Sequence, residues 1–177
     1  TSKYCFAAIS TALGANATLD KTFQLYPNVK KIACVTLDDP GIQDIVDRAR
    51  QYFLSHGMEI TIDEMFPADL QDYYRRMTKA LATKPDAMAG IGGAPPFAKG
   101  LLESMRQLGF TGPMISSANW GDPVVLTKLI DPKYNTDFPN QIPDSTSDLM
   151  PQIVKDLKAL SDAEGMTMQL DYTATLA

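Results

Sequence analysis

Apolar positions along this chain recur in two alternating rhythms. Short continuous runs, rich in small and β-branched residues, read as buried strands: KKIACVTL (30–37), MEITIDEMF (58–66), DAMAGIGG (86–93) and GPMISSA (112–118). Between them, apolar residues fall at steps of three and four. In GIQDIVDRARQYFLSHG (41–57), Ile42, Ile45, Val46, Ala49, Tyr52 and Phe53 share one helical face, and Gly57 stops the helix. The same rhythm predicts helices over 16–27, followed by Pro27, over 69–85, ending at Pro85, and over 96–110, with Gly109 near its end. A shorter helix is expected over 122–130, where Pro123 suits a first turn.

Strand and helix thus alternate four times with short connections. Antiparallel neighbours need no helix between them, so the pattern predicts an α/β fold with three layers: a parallel sheet covered by helices on both faces. Such a sheet binds ligands beyond the carboxyl ends of its strands. The loops after residues 37, 66, 92 and 117 are therefore the expected functional zone. After Ile130 the texture changes. DPKYNTDFPNQIPDSTSD (131–148) carries three prolines among polar residues and reads as an irregular connection. Helical spacing resumes over 148–165 at Ile153, Val154, Leu157 and Leu160.

Composition narrows the classes. At 177 residues and 45% hydrophobic content the chain can bury a sizeable core. A net charge of −5 argues against nucleic acid as a partner, because phosphate contacts need clustered Lys and Arg. No run approaches the roughly 18 apolar residues of a membrane span. No leader pattern opens the sequence, so a mature or trimmed chain is expected. Cys5 and Cys34 each sit in an apolar run and read as two buried thiols, with a disulfide as the other possibility.

Four places could carry chemistry. The turn Gly90-Ile91-Gly92-Gly93-Ala94-Pro95 lacks the third glycine of a dinucleotide fingerprint, and Pro95 and Pro96 remove amides that would hold a phosphate. It reads as a tight strand-to-helix turn, and no cofactor is expected. Asp38 and Asp39 follow the first strong strand without the later strand-end Asp that a phosphoacceptor site would need; one of them should cap the next helix. His56 is the sole histidine and lies at a helix end, away from the strand tips, where it should meet the helix C-terminus. Neither a catalytic triad nor a metal cluster finds support in the spacing, and no enzyme activity is expected. In SSANWGD (116–122), Ser116, Ser117, Asn119 and Trp120 bring hydroxyl, amide and indole groups to the ligand zone. An ordinary turn with Trp120 covering the sheet edge is the equal alternative.

The ordered set of these pieces resembles one lobe of the type I periplasmic binding proteins, the solute receptors of branched-chain amino-acid type ABC transporters. The matching pieces are Asp38, Asp39 and Gly41; Gly57, Glu59 and Ile60; Asp72 and Tyr73; Pro85 and Asp86; Gly92 and Gly93; Leu108, Gly109 and Phe110; Pro113; Asp122 and Pro123. They spread over most of residues 1–138. The resemblance implies a second ligand-binding lobe over 1–143, with hinge-proximal ends near 1–10 and 138–143. A helical extension over 144–177 would begin the return toward a first lobe, so the chain is expected to be a fragment. It further implies a periplasmic or extracellular location, a membrane permease as partner, and non-catalytic capture of a small solute. A sensor domain built on the same fold is the alternative, and a flavodoxin-like or Rossmann-like enzyme the remoter one.

By position, the resemblance implies ligand contacts at Asp38, Asp39, Pro40, Gly93, Ala94, Ser117, Asn119 and Trp120. Three places depart from the amino-acid-binding pattern. Pro40 and Ala94 stand where aromatics are common, and Ala118 or Asn119 where an acid commonly receives the ligand's ammonium. A desolvated ammonium needs such an acceptor. The expected ligand is therefore not a simple α-amino acid but an organic acid, aromatic compound or amide, with Trp120 as a stacking wall.

Overall fold

The structure, a computed structural model, describes residues 11–67, 69–92, 95–116, 128–134 and 152–165. Its elements run α1 (Thr11–Leu25), β1 (Lys31–Leu37), α2 (Gln43–Ser55), β2 (Glu59–Phe66), α3 (Tyr73–Ala82), β3 (Ala87–Ile91), α4 (Pro95–Gln107), β4 (Met114–Ser116) and α5 (Gln152–Ala163). A 3-10 turn over Pro40–Ile42 leads into α2, and another spans Pro132–Tyr134. The helix expected at 122–130 falls largely outside the described residues, as does the domain boundary placed at 143.

The four strands pair in the order β2-β1-β3-β4, every pair parallel, as the alternation predicts. The chain steps from β1 one way to β2, then back across β1 to β3. Right-handed crossovers in opposite directions put their helices on opposite faces. Accordingly α2 packs with α1 on one face, where Leu19, Val46, Ala49 and Phe53 cover Ile32, Cys34, Ala89, Ile91 and Ile115. On the other face α3 and α4 place Met77, Ala80, Ala98, Leu101, Leu102 and Met105 over Ala33, Val35, Met88 and Met114. Both β1 and β3 are buried on both sides, which is why their sequences read as continuous apolar runs.

The edge strand β2 departs from strict alternation. Ile32 lies opposite Ile60 but Ala33 opposite Ile62, so Thr61 is an extra residue on β2. Its hydroxyl shares a 2.7 Å hydrogen bond with Thr83 at the end of α3. The bulge reverses the facing of the residues beyond it: Ile60 packs toward α2 and Ile62 toward α3 and α4. Charged residues follow the same switch. Asp63 accepts from Arg50 of α2 at 2.9 Å, while Glu64 pairs with Arg76 and Lys79 of α3.

Helix limits follow local chemistry. α3 begins four residues later than the spacing predicts because Asp72 caps it, accepting from the Arg75 amide at 3.1 Å. It ends before Pro85, with Lys84 in the left-handed region at φ 54°. Conversely, α1 starts five residues earlier than expected, running through Gly14 and Asn16.

Candidate functional site

The order β2-β1-β3-β4 makes the β1–β3 junction the switch point, where connections leave in opposite directions; in open α/β sheets this is where a crevice forms at the carboxyl ends. Leu37-Asp38-Asp39-Pro40 and Ile91-Gly92 rim it. The first turn is braced internally: the Asp39 carboxylate accepts from the Gly41 amide at 2.8 Å, and the Ile42 amide donates to the Asp39 carbonyl at 3.2 Å. Asp39 thus caps the 3-10 turn that precedes α2, in line with the expected capping role. On the β2 side, the Asp38 amide donates to the Phe66 carbonyl at 2.8 Å. Asp38, Asp39 and Pro40 are all exposed.

The second rim meets the first through one close contact. Gly92 has φ +77°, a conformation that favours glycine, and a Cβ there would lie 2.2 Å from Ile42 Cδ1. The tip of Ile42 therefore occupies the space a side chain at 92 would need. Just below, Thr36 stands opposite Ile91 of β3, fully buried, and its hydroxyl has no hydrogen-bond partner among the described residues. Sequence reading did not single out Ile42 or Thr36 for the site. One reads as an ordinary helix-face residue and the other as a strand residue.

Beneath the tips of β2 and the first turns of α3 and α4 lies a cluster of Phe66, Tyr73 and Phe97, with ring centroids 6.0–6.3 Å apart. Arg76 lies over the Phe66 ring at 5.4 Å and donates to the Met65 carbonyl at 3.0 Å. Burial holds the Tyr73 phenol above its ordinary pKa. Pro95 and Pro96 occupy the first two positions of α4, so that helix start lacks two amide donors.

Of the expected contacts, Asp38, Asp39 and Pro40 lie at the carboxyl end of β1, beside the β1–β3 junction. Gly93, Ala94, Ser117, Asn119 and Trp120 lie outside the described residues, which reach Gly92 and Ser116 immediately before them. His56 closes α2 at the opposite end of the sheet, where its Nδ1 donates to the Tyr52 carbonyl at 2.8 Å and its ring stacks on Tyr52 at 4.0 Å. Tyr52 in turn donates to Asp20 of α1, and burial first, then this bond, raises its pKa. Cys34 is a free, buried thiol pushed up to about 12, chiefly by burial; Cys5 lies outside the described residues. No group of His, Cys, Asp and Glu residues suited to a metal occurs among the described residues. None of their helices is long and apolar enough to cross a membrane.

An open depression of about 320 Å³ lies at the other edge of the sheet, between Leu25–Val29 and Asp86. It sits at the amino ends of β1 and β3, where no crevice is expected in a fold of this type.

Neither a protein-family model nor a curated protein sequence matches the chain. Solved structures do. An amino-acid ABC transporter substrate-binding protein from Pseudomonas fluorescens superposes with a TM-score of 0.74 at 17% identity, over 97% of this chain and 47% of the other. A leucine-binding protein from Thermotoga maritima gives 0.70 at 17% identity, over 92% and 46%. An ABC transporter solute-binding protein from R. palustris, solved in complex with 4-hydroxybenzoate, gives 0.67 at 15% identity, over 94% and 44%. The chain spans a little under half the length of these proteins. At such identities the likeness establishes the fold. The chain has the α/β architecture of one lobe of the periplasmic solute-binding proteins that serve branched-chain amino-acid type ABC transporters.

Proposed function

We propose that this lobe supplies one wall of a cleft that captures a small solute for ABC-type uptake, on the periplasmic or extracellular face of a membrane. The observation that carries the reading is the junction of the Asp38–Ile42 turn with Gly92 at the switch point of a sheet built like one solute-receptor lobe. A second lobe would bring the opposite wall. Closure around the solute would then be driven by its greater affinity for the closed state, with no bond made or broken. The permease would receive the closed form.

Within this reading Asp38, Asp39, Pro40, Gly93, Ala94, Ser117, Asn119 and Trp120 are the residues that contact the solute. The small residues at 40 and 94, and the missing acid near 118–119, favour an organic acid, aromatic compound or amide over a simple α-amino acid. The R. palustris protein solved with 4-hydroxybenzoate shares this lobe fold, so an aromatic acid is among the solutes to test.

The test is calorimetry and thermal shift on the full-length gene product with leucine, valine, benzoate, 4-hydroxybenzoate and aliphatic amides. An aromatic acid or amide should raise the unfolding temperature, since a ligand at a hundred times its Kd adds about 2.7 kcal/mol. Tight leucine or valine binding would refute the ligand class. Failure of every solute would refute capture itself.

A further inference from the structure

We propose that Ile42 is a positioning residue that sets the width of the solute crevice, and with it the size of solute accepted; this rests on the capture reading above. The Asp38–Ile42 turn is one stiff piece, closed by the Asp39 carboxylate on the Gly41 amide and by the Ile42 amide on the Asp39 carbonyl. A stiff piece needs two anchors to hold its height. One is the 2.8 Å bond from the Asp38 amide to the Phe66 carbonyl, which fixes it to β2. The other is the Ile42 side chain, seated in the space left by the absent Cβ of Gly92 at the tip of β3. Ile42 also packs against the hydrophobic cluster between α1, α2 and the sheet, so its position is set from below.

The geometry makes this contact a spacer rather than ordinary core. It joins the turn after β1 to the tip of β3, the two strands that meet at the switch point. Shortening the side chain would let the Asp38–Pro40 rim settle toward β3 or swing away from it. Either movement changes which solutes fit, because an apolar contact fixes distance without fixing chemistry.

The experiment compares wild type, Ile42→Val and Ile42→Ala of the full-length gene product. Each is first checked for a single cooperative unfolding transition. Affinities are then measured for benzoate, 4-hydroxybenzoate and 4-ethoxybenzoate, a series of increasing length. We expect the ratio of affinities for the longest and shortest solutes to change roughly threefold or more in Ile42→Ala, with Ile42→Val between. A purely structural role would weaken all three equally, so an unchanged ratio overturns the inference while leaving capture intact. No binding by wild type overturns both. Amide hydrogen exchange supplies a ligand-free reading. Ile42→Ala should speed exchange at Asp38 and Gly41 while leaving the β1 and β3 interiors protected, and unchanged rates at both amides would overturn the proposal.

Discussion

Thr36 and Asp86 show opposite ways in which one polar side chain can sit at the rim of this sheet. The Thr36 hydroxyl is fully buried at the carboxyl end of β1 without a partner among the described residues. A buried polar group left unpaired costs about 1–3 kcal/mol. Thr36→Val keeps the shape and removes that cost, so it should raise the midpoint of thermal unfolding by a few degrees, while Thr36→Ser should not. At the amino end, Asp86 accepts from the Lys30 and Lys31 amides, both at 2.9 Å, clamping the entry of β3 to that of β1. These amides, Lys30 first, hold its carboxyl below the ordinary carboxylate range. Its contribution is therefore complete above the unfolded carboxylate pKa of about 4 and is lost as pH falls through the lower folded value. The site is exposed, so solvent discounts the effect. Asp86→Asn should cost about 1 kcal/mol at neutral pH and flatten the loss of stability on acidification below about pH 4, measured by denaturant titration.

At the scale of elements, stops were more legible than starts. Gly57 and Gly109 end their helices in the left-handed region at φ +71° and +80°, and the next amide in each case folds back onto the last turn. Glycine before an apolar residue announces that geometry in the sequence. Starts rest on side-chain caps whose choice among several Asp residues is settled in three dimensions. The run from Asp69 to Asp72 holds two candidates, and only Asp72 bonds an α3 amide. Asp72→Ala should lower stability by about 1 kcal/mol in chemical denaturation, whereas Asp69→Ala should not. The bulge at Thr61 was also invisible, because the alternating letters of β2 fit a regular strand equally well. It shows only when β1 imposes a register.

For the molecule as a whole, one consequence of the proposed cleft can be checked directly. If solute is gripped between two walls, the 177-residue chain alone offers half the contacts and leaves the solute wet. Its affinity for any solute bound by the full-length product should fall at least about tenfold, which corresponds to roughly 1.4 kcal/mol of lost contact. Equal affinity of the two forms would place the entire site within this lobe. The charge and the polar strand tips are consistent with a small-molecule partner, and the lobe likeness to solute receptors covers 92–97% of the chain in the three structures compared.

Taken alone, the sequence determined the alternation of strand and helix, the parallel sheet and the buried central strands. Periodicity and length carry those, since each follows from which residues must leave water. Tertiary structure alone decided which strands are neighbours, that the β1–β3 junction is the switch point, and that Ile42 fills the space above Gly92. These depend on contacts between residues roughly 26 to 55 positions apart. Local pattern holds no record of them, because the same isoleucine would satisfy the helix face whether or not a glycine waited beneath it.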